Sequence, residues 1–185
     1  MRLADQFDRL RASLQEDCGE ALDRELAQLV IALEDKRFWK HHGVDLIALT
    51  RAFVQMLLGR SKGGASTIDM QFVRTVTQER DLTFRRKLRE ILLAVAVRRE
   101  FGARLILTRY LAIAYTGTGL NGMEDASLTL FGHPVRECNI EQKAILAATL
   151  LAPIPKLRTR EWQQRINGRA KYALYRSSIL TSINP

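Results

Sequence analysis

Apolar residues recur at spacings of three and four along most of the chain, and this helical periodicity constrains the fold more than any other feature. Alternation of period two is not convincing anywhere, so any strands are short. Glycine and proline concentrate in three loops, at 59–64, 117–122 and 153–155. The sequence therefore predicts one mainly α domain over residues 1–185. The predicted helices are Glu20–Leu33, Val44–Leu58, Phe84–Phe101, Ala103–Tyr115, Ile140–Ala152 and Glu161–Ile183, the last as a basic terminal helix on the surface.

Composition and charge restrict the class of partner. The 185 residues carry a formal net charge of +9, which fits nucleic acid, an acidic membrane surface or a pyrophosphate-bearing substrate. Cys18 and Cys138 belong to no CxxC or Cys/His cluster, which excludes a disulfide framework and a zinc ribbon. The N-terminal residues do not resemble a signal peptide. The longest apolar run, Ile91–Val97, is far shorter than the ~18 residues of a membrane span, so we expect a soluble or peripheral chain.

Two adjacent carboxylates, Glu34 and Asp35, follow the apolar run Leu29–Leu33 and open the segment Glu34–Gly43. A carboxylate at the mouth of an apolar helix is partly desolvated, and desolvation raises its pKa towards that of a general base. The residues alone leave a second interpretation open. In it, the segment is an acidic helix end followed by a solvated aromatic loop.

A glycine-rich loop leads into a polar helix in the segment Lys62–Asp69. Paired glycines ahead of Ser66 and Asp69 are typical of a loop that enters a capped helix N-terminus, where free N–H groups suit a phosphate. The segment lacks the GK[ST] ending and the preceding strand of a P-loop. It continues as a polar stripe of Thr67, Gln71, Arg74 and Gln78, for which a solvated helix face is the alternative.

A basic segment, Arg85–Glu90, comes immediately before the apolar run Ile91–Val97. Arg86 and Glu90 are i,i+4 neighbours at the point where solvent gives way to core. A carboxylate at that point needs a cation to remain ionised. The pair is therefore either an ion pair that caps a buried helix, or a second acidic group flanked by phosphate-binding cations.

Taken together, the three segments resemble motifs of family 51 glycosyltransferases. These are the peptidoglycan glycosyltransferase domains of penicillin-binding proteins and of monofunctional transglycosylases. The first segment is similar to the motif EDxxFxxHxG, the second to GxSTIxxQxxK and the third to RKxxExxxA. A fourth match runs from Tyr110-Leu111 to Phe131-Gly132, and a weaker fifth comprises Ala144–Ala147 and the Pro153/Pro155 turn. The motif core covers about 29–155 and leaves 156–185 as a C-terminal helical region.

Five positions depart from the family pattern. Met70 stands in place of a Gln, Arg74-Thr75 in place of Lys-Asn, Ala112 in place of an Asn, and Gln142 in place of a Glu. Arg74 keeps the positive charge of the family lysine but changes its geometry. Thr75 and Ala112 bear on rate or substrate preference, while both key glutamates are present.

The resemblance implies a lysozyme-like fold with a large helical lobe and a smaller mobile lobe. It also implies a hexosyltransferase that polymerises lipid II into β-1,4-linked glycan strands, inverts the α-linked donor and releases undecaprenyl pyrophosphate. Glu34 then acts as the general base on the acceptor hydroxyl, and Glu90 assists departure of the pyrophosphate. The other residues that the resemblance assigns to substrate binding are Asp35, Phe38, His41, Gly64, Ser66, Thr67, Gln71, Arg74, Arg86 and Lys87.

The resemblance also implies partners and a location. The partners are lipid II, the growing glycan strand, an anionic membrane surface and other cell-wall synthesis proteins, without nucleic acid. The location is the outer face of the bacterial cytoplasmic membrane, reached peripherally or through an anchor absent from this chain. No cofactor is certain. A divalent cation, Mg²⁺ or Mn²⁺, stays open as an aid to the diphosphate, although the sequence offers no dedicated set of ligands.

Three alternatives remain open from the sequence. A basic helical nucleic-acid-binding protein explains the charge of +9 but leaves Glu34-Asp35 and Gly64–Ile68 unexplained. A catalytically weak relative binds glycan or lipid without making polymer. A lysozyme-like hydrolase uses two carboxylates to cleave the kind of bond that a glycosyltransferase forms.

Overall fold

The computed structural model describes residues 2–16, 22–59, 65–79, 81 and 83–183, and of 181–183 only the backbone. Over these residues the chain is mainly α-helical, which confirms the predicted class. Short 3₁₀ helices occupy Phe38–Lys40 and Val135–Glu137, and two short strands, β1 (Tyr115–Gly117) and β2 (Leu120–Asn121), form an antiparallel hairpin. The helices are α1 (Leu3–Gln15), α2 (Arg24–Glu34), α3 (Leu46–Leu57), α4 (Ile68–Thr77), α5 (Phe84–Ile113), α6 (Gly122–Phe131), α7 (Ile140–Thr149) and α8 (Arg160–Ile183).

Side-chain caps define the start of several helices. Asp23 accepts a hydrogen bond from the backbone N–H of Leu26 and begins α2. Asp45 does the same for Ala48 and begins α3. Asn139 and Gln142 form a reciprocal capping box at the start of α7. Such caps satisfy N–H groups that have no partner inside the helix, so they fix where each helix begins.

The chain divides into two compact units. The first comprises Met1–Asp17 and Arg37–Arg109, and the second comprises Cys18–Lys36 and Tyr110–Pro185. Glu34 and Asp35 therefore belong to the second unit, whereas the other predicted site residues that the structure describes belong to the first.

In the first unit, α1 packs on α4, and α5 contributes buried apolar side chains, among them Leu93 and Val97. The sequence did not predict α1. Helix α5 includes the predicted helix Phe84–Phe101 and most of the predicted helix Ala103–Tyr115, but it ends at Ile113, and Tyr115 begins β1 instead. Gly102, with φ +75°, interrupts α5 between the two predicted helices. A backbone at positive φ strains any residue with a Cβ, so glycine suits the kink. The main core side chains are Leu10, Leu14, Phe38, Ile68, Phe72, Val97, Ile106 and Leu107.

Helix α3 forms where Val44–Leu58 predicted a helix, but none of its residues is buried. Its apolar side chains are instead exposed, among them Leu46 and Leu57, each at 69%. The periodicity therefore identified a helix correctly, although α3 contributes no buried residue to the core. An exposed apolar surface of this kind marks a contact site.

In the second unit, α2, α7 and α8 pack against one another. The sequence placed Glu161–Ile183 on the surface, and this prediction was wrong for one face of α8, where Ile166 and Ala173 are fully buried. Trp162 also anchors the start of α8, because its indole N–H donates to the carbonyl groups of Ala152 and Pro153. The many basic residues of α8 led to the prediction of a surface helix, because they made its buried apolar positions hard to recognise in the sequence.

Candidate active site

Glu90 is the centre of a charged cluster in the first unit. Only 3% of its side chain is exposed, and its two oxygens face three cations. Arg74 Nη2 lies 2.9 Å from Oε1, Arg86 Nη1 lies 2.5 Å from Oε2, and Lys87 Nζ lies 3.3 Å from Oε1. The expectation that a carboxylate at this position needs a cation is therefore confirmed. We call these four residues the Glu90 cluster.

The Glu90 cluster joins two sequence segments. Arg86 and Lys87 precede Glu90 by four and three residues on α5, while Arg74 reaches it from the last turn of α4. Ser66 extends the cluster, because its hydroxyl accepts hydrogen bonds from Lys87 Nζ at 3.0 Å and from Arg74 Nη2 at 3.4 Å. Three cations surround one carboxylate, so positive charge is in excess. Such an arrangement favours an anion with several oxygens, such as a diphosphate.

The sequence predicted a capped helix start in this segment but counted Thr67 as part of the helix, whereas Thr67 is itself the cap of α4. The Thr67 hydroxyl accepts a hydrogen bond from Met70 N and donates one to the carbonyl of Gly43 at 2.6 Å. Thr67 is buried, whereas Ser66 and Gln71 are half-buried. Gly64, which the sequence also assigned to the site, lies outside the described residues.

The segment around His41 is packed inside the first unit. Phe38 is fully buried, so its ring is part of the core of this unit and is not accessible from solvent. His41 is also buried, and its Nδ1 accepts a hydrogen bond from Gly43 N at 3.2 Å. Gly43 has φ +95°, and a Cβ there would lie 2.6 Å from the carbonyl oxygen of Ala94 on α5. Glycine is therefore required where this segment meets α5.

Glu34 and Asp35 end α2 in the second unit. Glu34 is its last residue and is half-buried, and Asp35 is 7% exposed and donates its backbone N–H to the carbonyl of Ile31. The predicted position of both carboxylates at the end of an apolar helix is confirmed.

Sequence reasoning missed Gln6. This residue of α1 is fully buried, and with Val73, Thr77 and Leu93 it lines a small cavity beside Arg86 and Glu90. Its Nε2 donates to Glu79 at 2.5 Å. A glutamine in a helix without a recognised motif carries no sequence signal for this placement.

A divalent cation does not fit the Glu90 cluster. Both oxygens of Glu90 already accept hydrogen bonds from Arg74, Arg86 and Lys87. A metal ion at this carboxylate would have to displace those donors and would meet their positive charge.

The charge state of Lys87 provides a test of anion binding. Burial lowers the pKa of its ammonium group, Glu90 opposes this shift, and Arg74 and Arg86 add to it. A bound diphosphate adds negative charge and raises this pKa, so binding takes up a proton between the free and bound pKa values. We expect the affinity for inorganic pyrophosphate to fall as the pH rises through the interval between those two pKa values.

Titration calorimetry on the wild-type protein and on Lys87→Arg measures this effect. Pyrophosphate has its own ionisation, but it contributes equally to both proteins, and the arginine stays protonated throughout. The wild-type affinity should fall relative to that of Lys87→Arg as the pH rises. Parallel curves would show that Lys87 does not face the bound anion.

Comparison with known proteins finds related sequences over most of the chain. The family model described as Transglycosylase matches residues 9–178. Penicillin-binding protein 1A of Aquifex aeolicus is 39% identical over 124 residues, which cover 66% of this chain and 17% of that protein. A protein of Cupriavidus necator with a provisional transglycosylase name is 39% identical over 132 residues, covering 71% of this chain and 57% of its own. Penicillin-binding protein 1F of Bacillus subtilis is 34% identical over 133 residues, covering 71% and 19%.

The chain thus spans about a fifth of the two penicillin-binding proteins and somewhat more than half of the Cupriavidus protein. The family model covers nearly all of the chain, and it includes every residue of the Glu90 cluster together with Glu34. The chain belongs to the transglycosylase family, the peptidoglycan glycosyltransferase domains of glycosyltransferase family 51.

Proposed function

We propose that the protein polymerises lipid II into β-1,4-linked glycan strands and releases undecaprenyl pyrophosphate, as an inverting hexosyltransferase. The observation that carries this proposal is the Glu90 cluster, in which three cations and the Ser66 hydroxyl converge around one buried carboxylate. A diphosphate leaving group develops negative charge as its bond to the sugar breaks, and fixed cations stabilise that charge.

Glu34 is the general base in this proposal. Its carboxylate accepts the proton of the acceptor 4-hydroxyl as that oxygen forms a bond to the anomeric carbon of the donor. The bond between the anomeric carbon and the phosphate oxygen breaks, and its electron pair leaves with the lipid diphosphate. Attack on the face opposite to the leaving group converts the α-linked donor into a β-linked product.

Glu90 assists departure of the diphosphate by holding the cations. Its oxygens are occupied by Arg74, Arg86 and Lys87, so its carboxylate fixes their positions. Gln71 is half-buried and orients the sugars, while the buried residues Asp35, Phe38, His41 and Thr67 shape the site from beneath its surface. The family match over 9–178 includes parts of both compact units, which supports the proposal that residues 1–185 form one glycosyltransferase domain.

We expect Arg74→Ala to weaken donor binding or lower turnover about tenfold, and Arg74→Lys to retain much of the activity. A charged hydrogen bond contributes about 1.5–3 kcal/mol, and the partial exposure of Arg74 reduces that value. Lysine keeps the charge and loses only the planar geometry. Steady-state kinetics with lipid II measure both variants.

Arg89→Ala is the matched control, because Arg89 is 40% exposed, compared with 41% for Arg74, but pairs with Glu79. It should leave turnover and donor affinity unchanged. If Arg74→Ala behaves like this control, the polar side of α4 is only a solvated helix face.

Helix α3 supports the proposal that the protein docks on an anionic membrane surface. Its exposed apolar side chains include Leu46, Phe53 and Leu57, and Arg51 is its only charged residue. Helices of this kind bury their apolar side chains at the boundary between headgroups and acyl chains.

Among the residues that the structure describes, no helix is long and apolar enough to cross a membrane. We propose that the protein works at the outer face of the cytoplasmic membrane, where other cell-wall synthesis proteins are further candidate partners.

The chain has a net charge of +9, and each basic residue near an anionic membrane surface contributes about 1 kcal/mol to binding. Salt screens this attraction, so we expect binding to vesicles with anionic lipid to weaken as the salt concentration rises. Leu57→Glu should lower vesicle affinity about tenfold or more, because burial of a leucine side chain contributes about 1.5–3 kcal/mol. Co-sedimentation with vesicles measures both effects.

Leu157→Glu is the control for α3, because it makes the same change at a leucine that is 78% exposed in the second unit. Equal affinities of Leu57→Glu and Leu157→Glu would exclude α3 as the docking surface. Absence of vesicle binding at low salt, with full activity on a water-soluble substrate analogue, would contradict membrane docking altogether.

Incubation with labelled lipid II and, separately, with finished glycan tests the proposed function. A glycosyltransferase makes polymer from lipid II and leaves finished glycan intact. A lysozyme-like hydrolase shortens the glycan, and a binding relative makes no polymer. A salt-titrated mobility shift with DNA or RNA tests the nucleic-acid alternative, for which we expect no specific complex.

A further inference from the structure

Arg98 and Asp69 form a buried ion pair in the first unit, outside the Glu90 cluster. The Arg98 side chain is 7% exposed, and Asp69 is completely buried. Arg98 Nη1 donates to both carboxylate oxygens of Asp69, at 3.1 and 3.2 Å. The pair joins the middle of α5 to the first turn of α4.

The same guanidinium group holds the main chain of the segment 38–41. Arg98 Nη2 donates to the carbonyl of Phe38 at 2.5 Å and to that of His41 at 3.3 Å. The guanidinium carbon also lies 4.4 Å from the centre of the Phe38 ring. One planar group with several donors therefore fixes both ends of this four-residue stretch, which a single-point cation cannot do.

Each segment that Arg98 joins carries candidate site residues. The stretch 38–41 ends at His41, α4 begins directly after Thr67 and carries Arg74, and α5 carries Glu90 two turns before Arg98. A charged pair removed from water gains little net stability, because desolvation offsets much of the attraction. The geometry that the pair imposes is therefore its main contribution.

We propose that Arg98 and Asp69 are positioning residues, which hold residues 38–41 and the N-terminus of α4 in fixed positions against α5. Neither residue contacts substrate; both act through His41 and Thr67. For its kinetic readout this inference rests on the proposed function. Misplacement of reacting groups by about 1 Å lowers turnover by as much as about 100-fold, so a loss of register affects kcat strongly.

The double variant Arg98→Met/Asp69→Leu separates positioning from folding. Arg98→Met alone leaves a buried carboxylate without its cation and should lower the melting temperature. The double variant removes both charges and should recover much of that loss, yet the carbonyl groups of Phe38 and His41 still lack their donor. We expect its kcat to be about 10–100-fold below wild type, with the KM for lipid II within about threefold. Arg99→Met, at the exposed neighbouring arginine, should leave both constants unchanged.

Hydrogen exchange over residues 38–43 gives a readout that needs no activity. We expect faster exchange in this segment of the double variant, with the rest of the first unit unchanged. If the wild-type protein makes no polymer, the proposed function fails, but the exchange result still decides the positioning inference. A double variant with wild-type kcat and wild-type exchange would overturn it.

If the double variant does not fold, Arg98→Lys tests the positioning inference instead. Lysine keeps a positive charge opposite Asp69 but cannot reach the carboxylate and both carbonyl groups with one planar head. The inference predicts a folded protein with reduced kcat and faster exchange over residues 38–43. Wild-type values of both quantities would show that only the charge matters.

Discussion

Glu34→Gln should abolish detectable polymerisation of lipid II while leaving the fold intact. The amide has nearly the same shape as the carboxylate but cannot accept the proton of the acceptor hydroxyl. General base catalysis contributes about 10²–10⁴-fold, so we expect a loss of at least that size. Because Glu34 is half-buried at the end of α2, the substitution should change the melting temperature little. Continuous measurement of polymer formation, with circular dichroism of the same sample, checks both expectations.

Glu137→Gln is the matched control for Glu34→Gln. Glu137 is 55% exposed in the second unit, where it pairs with the exposed Arg136. This variant should polymerise lipid II at the wild-type rate. If Glu34→Gln kept a near wild-type rate as well, Glu34 would not be the base.

Glu90→Gln should lower turnover about 100-fold and at the same time strengthen the binding of inorganic pyrophosphate. The neutral amide no longer fixes Arg74, Arg86 and Lys87, so the donors that stabilise the leaving group lose their geometry. Glu90 carries the negative charge of the Glu90 cluster, so its neutralisation increases the net positive charge that attracts an anion. Loss of these charged hydrogen bonds should also lower the free energy of unfolding by about 1.5–3 kcal/mol. Kinetics and calorimetry on the folded variant measure the two opposite effects.

Glu79→Gln controls for the loss of a nearby acidic side chain. Glu79 accepts hydrogen bonds from Gln6 and Arg89 and does not contact Arg74, Arg86 or Lys87 in any described hydrogen bond. Its turnover and pyrophosphate affinity should stay close to wild type. Weaker pyrophosphate binding in Glu90→Gln would contradict the role of Glu90 as a holder of cations.

The parts of the site that lie close together in sequence were predictable. Arg86 and Glu90 are one turn apart, so helical spacing alone joined them, and the ion pair follows from the burial of the carboxylate. A capped start of α4 followed from the glycine-rich loop ahead of an apolar-periodic helix, although the cap is Thr67, which the sequence counted as part of the helix. Spacing also placed Glu34 at the end of an apolar helix, where the structure finds it.

The parts that depend on distant residues were not predictable. Asp69 and Arg98 are 29 residues apart, and the pattern around Asp69 indicates only the start of a helix, so nothing in the sequence joins the two residues. For helix α3 the secondary structure was predictable, but the exposure of its apolar side chains was not. Its periodicity gives the helix, but periodicity does not tell whether an apolar face is covered by protein or left exposed.

The product formed from lipid II tests the central claim most directly. In an assay of wild-type protein with lipid II labelled in both sugar and lipid, we expect one undecaprenyl pyrophosphate for each new β-1,4 linkage, in chains that a muramidase digests. Transfer to a sugar hydroxyl requires this ratio, since each bond formed releases one leaving group. Release of lipid diphosphate without new linkages, or linkages of α configuration, would contradict the account.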